Sequence, residues 1–368
     1  MREGWEYKRW ADVLTIINGK NQKAVESPNG QYPIYGSGGI MGYALDWLCP
    51  ENCVIIGRKG NINKPLFVES KFWNVDTAFG LSANQECLIP KYLFYFCLDY
   101  NFERHNRAVT IPSLTKIDLL KVKMLVPPKP TQLSIVSELD KLNELIQIKK
   151  EQLKDYDALA QSIFYEMFGD PVVNEKGWEV KTLGDICEIT SSKRVFANEY
   201  VDTGVPFYRS KEVIEKSKQL PISVELYISE SHYNKIKSSF GVPQIGDILV
   251  TAVGTIGKIW VVDTNEPFYF KDGNLVWLRN IKGAHCEYFR YSIFYLIDEY
   301  KKVNANGAAY NALTIAKLKL MLCPLPPLSL QQSFAHKIEQ IERQKAAVQS
   351  TITDLETLLA VRMQYWFD

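Results

Sequence analysis

The feature that most constrains this chain is that it repeats itself once, over nearly its whole length. Gly4-Trp5-Glu6 returns as Gly177-Trp178-Glu179. CVIIGRKGNINK (Cys53 to Lys64) aligns with DILVTAVGTIGK (Asp247 to Lys258), and PSLTKIDLLKVKMLVPPKPTQ (Pro112 to Gln132) with NALTIAKLKLMLCPLPPLSLQ (Asn311 to Gln331). The offset grows from 173 to 194 to 199, so the second copy carries insertions in its early part. A period this long is a tandem duplication of one large unit and not a solenoid.

Each copy has two parts. The first, 1–128 and 171–327, mixes short β-branched and aromatic runs such as CVIIG, DILVTAVG and FYFKDGNLVWL with turn residues, among them Pro28-Asn29-Gly30 and Asp272-Gly273. This reads as mostly strand, with short helices around Lys91–Cys97 and Glu287–Ile297. The second part, 129–170 and 328–368, follows a proline pair, with Thr131 and Ser329 as the expected N-caps. About 38 residues without Gly or Pro come next. They keep a 3-4 apolar spacing through Leu139, Leu142, Ile146 and Leu153 in the first copy, and through Ile338, Ile341, Val348, Ile352 and Leu355 in the second. That is a coiled-coil seam, interrupted at Lys149 and Lys345, which are expected either to sit beside a carboxylate of the other helix or to set register. A helix of roughly 55 Å with an apolar stripe needs a partner, and the other copy is the obvious one.

Antiparallel pairing would put the two globular parts at opposite ends of a rod, related by a pseudo-twofold axis. Such a dumbbell suits two segments of one DNA duplex, as a dimeric repressor spans its half-sites. The globular parts differ in sequence, so the two halves of a target should differ. The carboxyl-terminal MQYWFD is too apolar for a free tail and should pack on the amino-terminal domain or on a partner subunit.

Charge permits this without demanding it. Residues 1–128 hold 15 basic and 12 acidic side chains, and residues 171–327 hold 19 and 17, within a chain of net charge +1. DNA binding asks for a local basic face rather than a basic total. Seven scattered cysteines without a CxxC pair give neither a disulfide framework nor a zinc pattern; Cys49 and Cys53 read as buried thiols before they read as metal ligands. No apolar run reaches membrane-spanning length and no signal-peptide stretch opens the chain, so a cytoplasmic protein is expected.

An enzyme reading fails on its motifs. AVGTIGK resembles a phosphate loop, but GxxxxGK[ST] needs four residues between the glycines and a hydroxyl after the lysine. No Asn/Asp-Pro-Pro-aromatic motif of an adenine methyltransferase is present. The same loops suit DNA contact: Arg58, Lys59, Asn61, Asn63 and Lys64 in the first copy, and Thr251, Thr255 and Lys258 in the second. A structural hairpin with a solvated charge cluster is the plain alternative. Further candidates are Lys20, Lys23, Ser37, Arg104 and Arg107 in the first copy. In the second they are Lys193, Arg194, Arg209, Lys211, Tyr310 and Asn311. Arginine pairs best with guanine and asparagine with adenine, so Arg58, Arg209 and Asn311 are the expected base readers.

Taken together, the strings YGSGGIMGY (Tyr35–Tyr43), VIIGRKGNINK, ILVTAVGTIGK and the two segments before the proline pairs make the chain similar to the specificity subunits of type I restriction–modification systems. Gln132 and Gln331-Gln332 add to the likeness. The resemblance covers the whole chain. It implies an α+β protein: two similar mixed α/β target recognition domains joined and spaced by two long antiparallel coiled-coil helices. It further implies that the helices act as a ruler and as docking surface for two methyltransferase subunits, with restriction (motor-nuclease) subunits joining them. The chain itself would hold no cofactor or metal; S-adenosylmethionine, ATP and Mg would sit in the partner subunits. Two rivals stand beside this: a stand-alone bipartite DNA-binding or scaffold protein without methyltransferase partners, and an enzyme whose site has no recognisable motif.

Overall fold

The run CVIIG forms the strand Cys53–Gly57, and all five residues are buried. Successive side chains of a strand face opposite sides, so this run feeds two cores at once. Val54 and Ile56 join Trp10, Phe79, Tyr92, Phe96 and Phe102, while Cys53 and Ile55 join Cys49, Val68 and Phe72. The strand Ile248–Thr251 repeats the device, with Ile248 and Val250 against Phe289 and Ile293 and Leu249 against Trp260, Phe270 and Trp277. These features come from a computed structural model that describes residues 3–106, 111–218, 220–303 and 312–367.

The chain folds as two compact units, Met1–Gln152 with Val348–Asp368, and Leu153–Ala347. In the first unit, Glu6–Arg9 pairs antiparallel with Lys123–Val126. A four-stranded antiparallel sheet runs in the spatial order Leu14–Asn18, Ala78–Ala83, Cys53–Gly57, Leu66–Val68. A smaller sheet places Tyr32–Gly36 between Gly39–Ala44 and Trp73–Asn74, the last of these in parallel. The helix Pro90–Asp99 covers the larger sheet with Tyr92, Leu93 and Phe96.

The second unit follows the same plan. Glu179–Thr182 pairs with Leu322–Leu325. Its four-stranded sheet runs Glu188–Thr190, Leu275–Arg279, Ile248–Thr251, Ile259–Val261. Val205–Tyr208 takes Tyr269–Phe270 as a parallel neighbour, and the covering helix is Cys286–Val303. The early insertion seen in the sequence is spent on Ser210–Ser217 and Glu230–Phe240, two helices without a counterpart among the described residues of the first unit. Both units therefore mix strands and helices, as the repeat implies.

The long helices are Lys129–Phe168 and Leu328–Phe367. They begin earlier than the expected caps Thr131 and Ser329. The carbonyl of Pro128 accepts the amides of Thr131 and Gln132, and that of Pro327 accepts those of Leu330 and Gln331. A proline has no N–H to donate but a full acceptor, so it serves at a helix start. In the first unit the helices run antiparallel: Glu138 binds Arg362, and Lys150 reaches Glu356 at 2.7 Å. In the second unit Lys345 meets Asp157 at 2.8 Å, and Phe164 packs on Phe334. The expected carboxylate beside Lys345 is there. Lys149 instead bonds Gln152 of its own helix, and Lys150 makes the crossing pair. Along the seam Leu139, Ile146, Ile338, Ile341, Val348 and Ile352 are buried, and Leu142, Leu153 and Leu355 are half-buried.

One buried glutamine per unit locks a helix start onto its globular part. Gln132 is fully buried; its amide oxygen accepts from Ile89 N at 2.8 Å, and its nitrogen donates to the carbonyls of Cys87 and Pro127, both at 2.8 Å. Gln331 repeats this with His285 N, Pro326 O and Gly283 O. Each side chain saturates three backbone groups at the junction of helix and globular part. Close by, Tyr92 donates to Leu125 O and Tyr288 to Pro324 O, each at 2.8 Å.

The helix ends are anchored in matching fashion. Phe168 packs on Tyr288 with ring centroids 4.6 Å apart, and Phe367 on Tyr92 at 5.2 Å. Trp366 stacks on Trp5, so the MQYWFD segment packs on the amino-terminal domain, one of the two places expected for it.

Candidate nucleic-acid interface

A turn closed by backbone bonds can hold any side chains on its outer face, and each unit has one such turn in the same place. In the first, Arg58 N donates to Thr77 O, Leu114 N to Arg58 O, and Ile62 N to Gly60 O. In the second, Ala252 N donates to Asn274 O, Leu313 N to Ala252 O, and Ile256 N to Gly254 O. Gly60 and Gly254 share a positive φ, +82° and +74°, which a β-carbon would strain. The residue opening the turn differs, but its task does not. A β-carbon on Gly57 would lie 2.4 Å from the carbonyl oxygen of Asn61. Its counterpart Thr251 fills that space by donating its hydroxyl to Thr255 O, and it accepts from Lys258 N at 2.9 Å.

Around the turn of the first unit, hydrogen bonds gather several candidates onto one rim. The carbonyl of Thr77 takes the amides of both Arg58 and Lys59. Lys20 N donates to Asn74 O, and Trp73 Nε1 to Lys20 O. Val75 N donates to Tyr35 O, which brings in the hairpin carrying Ser37. Asn63 Oδ1 accepts from Phe102 N at 2.8 Å, which ties Lys64 to the turn bearing Arg104. Lys20, Lys23, Lys59, Asn61, Lys64 and Arg104 are exposed, and Arg58 and Ser37 half-buried. Arg58 lies over the Phe79 ring at 5.7 Å and Arg104 over Tyr100 at 6.0 Å. A guanidinium resting on a ring keeps its in-plane N–H fork available.

The second rim is assembled from the same connections. Lys193 N donates to the Tyr269 hydroxyl, where Lys20 meets Trp73, and Lys271 N donates to Tyr208 O, where Val75 meets Tyr35. Lys193, Lys271 and Thr255 are exposed and Lys258 half-buried.

Several expected readers turn out to be committed within the fold. Asn63 holds the Asn101–Phe102 turn, and Thr251 is buried and knits its own loop. Arg209, expected as a base reader, donates to Glu212 at 2.8 Å and Glu225 at 2.9 Å. Glu212 is buried, and an unpaired carboxylate there would be costly. Arg194 pairs with Asp272 at 2.7 Å and Lys211 with Glu225 at 2.6 Å. Lys211 and Arg209 hold the Glu225 carboxyl below the usual range. Arg107, Tyr310 and Asn311 lie outside the described residues.

Sequence reasoning missed the turn Asn74–Thr77 and its counterpart Lys271–Asn274, which back both rims. Neither turn falls in a segment that the repeat aligns, so no sequence signal marked them.

Among the described residues no group of three or more His, Cys, Asp and Glu side chains is arranged to hold an ion. Cys49 is buried and bonds Asn74 Oδ1 at 3.1 Å; burial pushes the Cys53 thiol up to about 11. Both behave as core thiols. No helix among the described residues is long and apolar enough to cross a membrane.

Comparison with known proteins agrees with this architecture. The family model described as type I restriction modification DNA specificity domain matches twice, over residues 2–155 and 175–357. A specificity subunit assigned to a type I restriction enzyme of Haemophilus influenzae is 26% identical over 349 residues, covering 92% of this chain and 87% of the relative. One from Methanocaldococcus jannaschii is 23% identical over 378 residues, covering 92% and 86%. The fold is that of the type I restriction–modification S subunit from M. genitalium, with a TM-score of 0.58 at 15% identity, over 99% of this chain and 96% of that one. A second solved structure, from work on assembly and conformational transition of a type I system, gives 0.62 at 20% identity, over 99% and 97%. With two matched domains spanning most of its length, the chain belongs to the type I restriction–modification DNA specificity family, as a DNA-recognition subunit that performs no catalysis of its own.

Proposed function

We propose that this subunit reads an asymmetric, bipartite DNA target, one half with each repeat, and directs adenine methyltransferase and restriction subunits to it. The observation that carries this is the duplicated turn: one backbone scaffold, used twice, presents Arg58, Lys59 and Asn61 in one unit and Val253 and Thr255 in the other, where Ala252, at the position of Arg58, is buried. A shared scaffold with different outward side chains is what two unlike half-sites require. Arg58, its fork unengaged among the described residues, is the first candidate for a guanine contact.

The paired helices act as the spacer that sets the gap between half-sites. Exposed Leu145, Ile148, Leu358 and Val361 supply apolar surface on which two methyltransferase subunits dock. S-adenosylmethionine, ATP and Mg are bound by those partners and by the motor-nuclease subunits, and the target adenine is flipped there.

Modified-base sequencing of the source genome, with and without the gene, tests the reading. Loss of adenine methylation at one split motif supports it and identifies the target. Unchanged methylation, with partner genes expressed, overturns it in favour of a stand-alone binder. Arg58→Ala should then change one half of the motif, replacement of residues 177–327 by a relative's should change the other, and one added helical turn should widen the gap alone.

A further inference from the structure

The two globular parts carry nearly the same formal charge, yet they hold it differently. On the first rim, Lys20, Lys23, Arg58, Lys59, Lys64 and Arg104 have no carboxylate within 4 Å among the described residues. On the second, Arg194, Arg209 and Lys211 are each spent on a carboxylate of the same unit, which leaves Lys193, Lys258 and Lys271. Neither pattern is visible in composition, because it depends on which residues the fold brings together: Asp272 serves Arg194, Glu225 serves Lys211, and Glu212 and Glu225 serve Arg209.

We infer that the two units divide DNA binding unequally: the first is the electrostatic anchor on the phosphate backbone, and the second approaches DNA with half of its rim cations already paired to its own carboxylates. This rests on the DNA-recognition reading and adds to it a division of labour. Free cations release counterions on docking, and each phosphate contact contributes about 0.9 to the slope of log K against log salt. A cation already bound to a carboxylate must exchange that partner before it can contribute. The anchor therefore dominates non-specific binding and first encounter, where long-range attraction counts most. The second unit adds mainly short-range contacts, made once the duplex is in place.

The test uses the full chain and a labelled duplex of arbitrary sequence, with affinity measured across a salt series. The K59Q/K64Q/R104Q variant should flatten the slope by about 2 to 3. The E225Q/D272N variant frees Lys211 and Arg194 and should steepen it by about 1 to 2. E51Q/D202N makes the same change in net charge at exposed positions with no ion pair, and should leave the slope where it was. Unchanged thermal unfolding keeps folding out of the comparison. A first-rim variant that flattens the slope by less than about 1, or a released variant no steeper than the charge-matched control, overturns the asymmetry while leaving DNA recognition intact. A wild-type chain that binds the duplex without salt dependence overturns the DNA-recognition reading, and the asymmetry with it.

Discussion

Between Gly57 and Lys64 the first unit displays an arginine, two lysines and two asparagines; between Thr251 and Lys258 the second displays Val253, Thr255 and one lysine, with Ala252 buried. Three of the backbone bonds closing the two turns are the same, down to the carbonyl that receives Leu114 N in one and Leu313 N in the other. The comparison separates two classes of position. Residues that close the scaffold (the buried glutamines, Tyr92 and Tyr288, Gly60 and Gly254) are retained between copies. Residues that point outward from it are not, apart from the lysine shared as Lys64 and Lys258. A duplicated reader can change what it reads only if the parts that build the reading surface do not also do the reading.

The sharpest way to break this comparison is at the helix anchors. Phe168 is buried against Tyr288, so Phe168→Ala should cost the second unit about 3–5 kcal/mol. Phe367 is half-buried against Tyr92, so Phe367→Ala should cost the first unit roughly half as much. Denaturant unfolding followed by unit-specific hydrogen exchange would report both, and equal losses would show that the anchors are not ranked by burial.

Next come the glutamines. Gln132→Leu and Gln331→Leu each strand one amide and two carbonyls, and each should cost about 2–4 kcal/mol. The two losses should agree within about 1 kcal/mol, because the bonds are the same in number and kind. A large difference in midpoint between the variants would mean that the two locks are not equivalent.

The turn openers should respond differently. Gly57→Ala drives a β-carbon against the Asn61 carbonyl and should cost about 1–3 kcal/mol while shifting the loop that bears Arg58. Thr251→Ala removes two hydrogen bonds, at about 1–2 kcal/mol, and leaves the loop path intact. Thermal unfolding gives the energies, and backbone amide shifts give the paths.

The smallest effect belongs to the crossing pair in the first unit. The bond from Arg362 holds the Glu138 carboxyl below the usual range. A depressed carboxylate contributes stability that is present above its unfolded value, about 4.3, and lost as pH falls through the lower folded value. Wild type and Arg362→Gln should therefore differ slightly in urea midpoint near neutrality and converge in acid. A gap that persists in acid would assign the effect to packing of Arg362 on Trp366.

Much of the fold was legible in the sequence, because it rests on signals local in the chain or repeated within it. The offset alignments placed matching strands, and the 3-4 spacing placed both long helices. The site was less legible, because its roles are decided by contacts between distant residues. Nothing near Asn63 announces that its side chain will hold Phe102 N, and nothing near Arg209 announces Glu225. The helix starts were misjudged by a few residues because a carbonyl of the proline pair, rather than a hydroxyl, takes the first amides.

The first unit is made from both ends of the sequence, and that has a consequence for synthesis on the ribosome. Trp5 and Tyr92 emerge early, but the Trp366 and Phe367 rings that cover them are translated only after the whole of 153–347. At about 5–20 residues per second the nascent domain waits on the order of 10–40 s with an apolar face uncovered. A prematurely terminated product never receives its cover. It is left with a sticky surface for chaperones and proteases to find, so an incomplete reader is marked for removal by its own unfinished core.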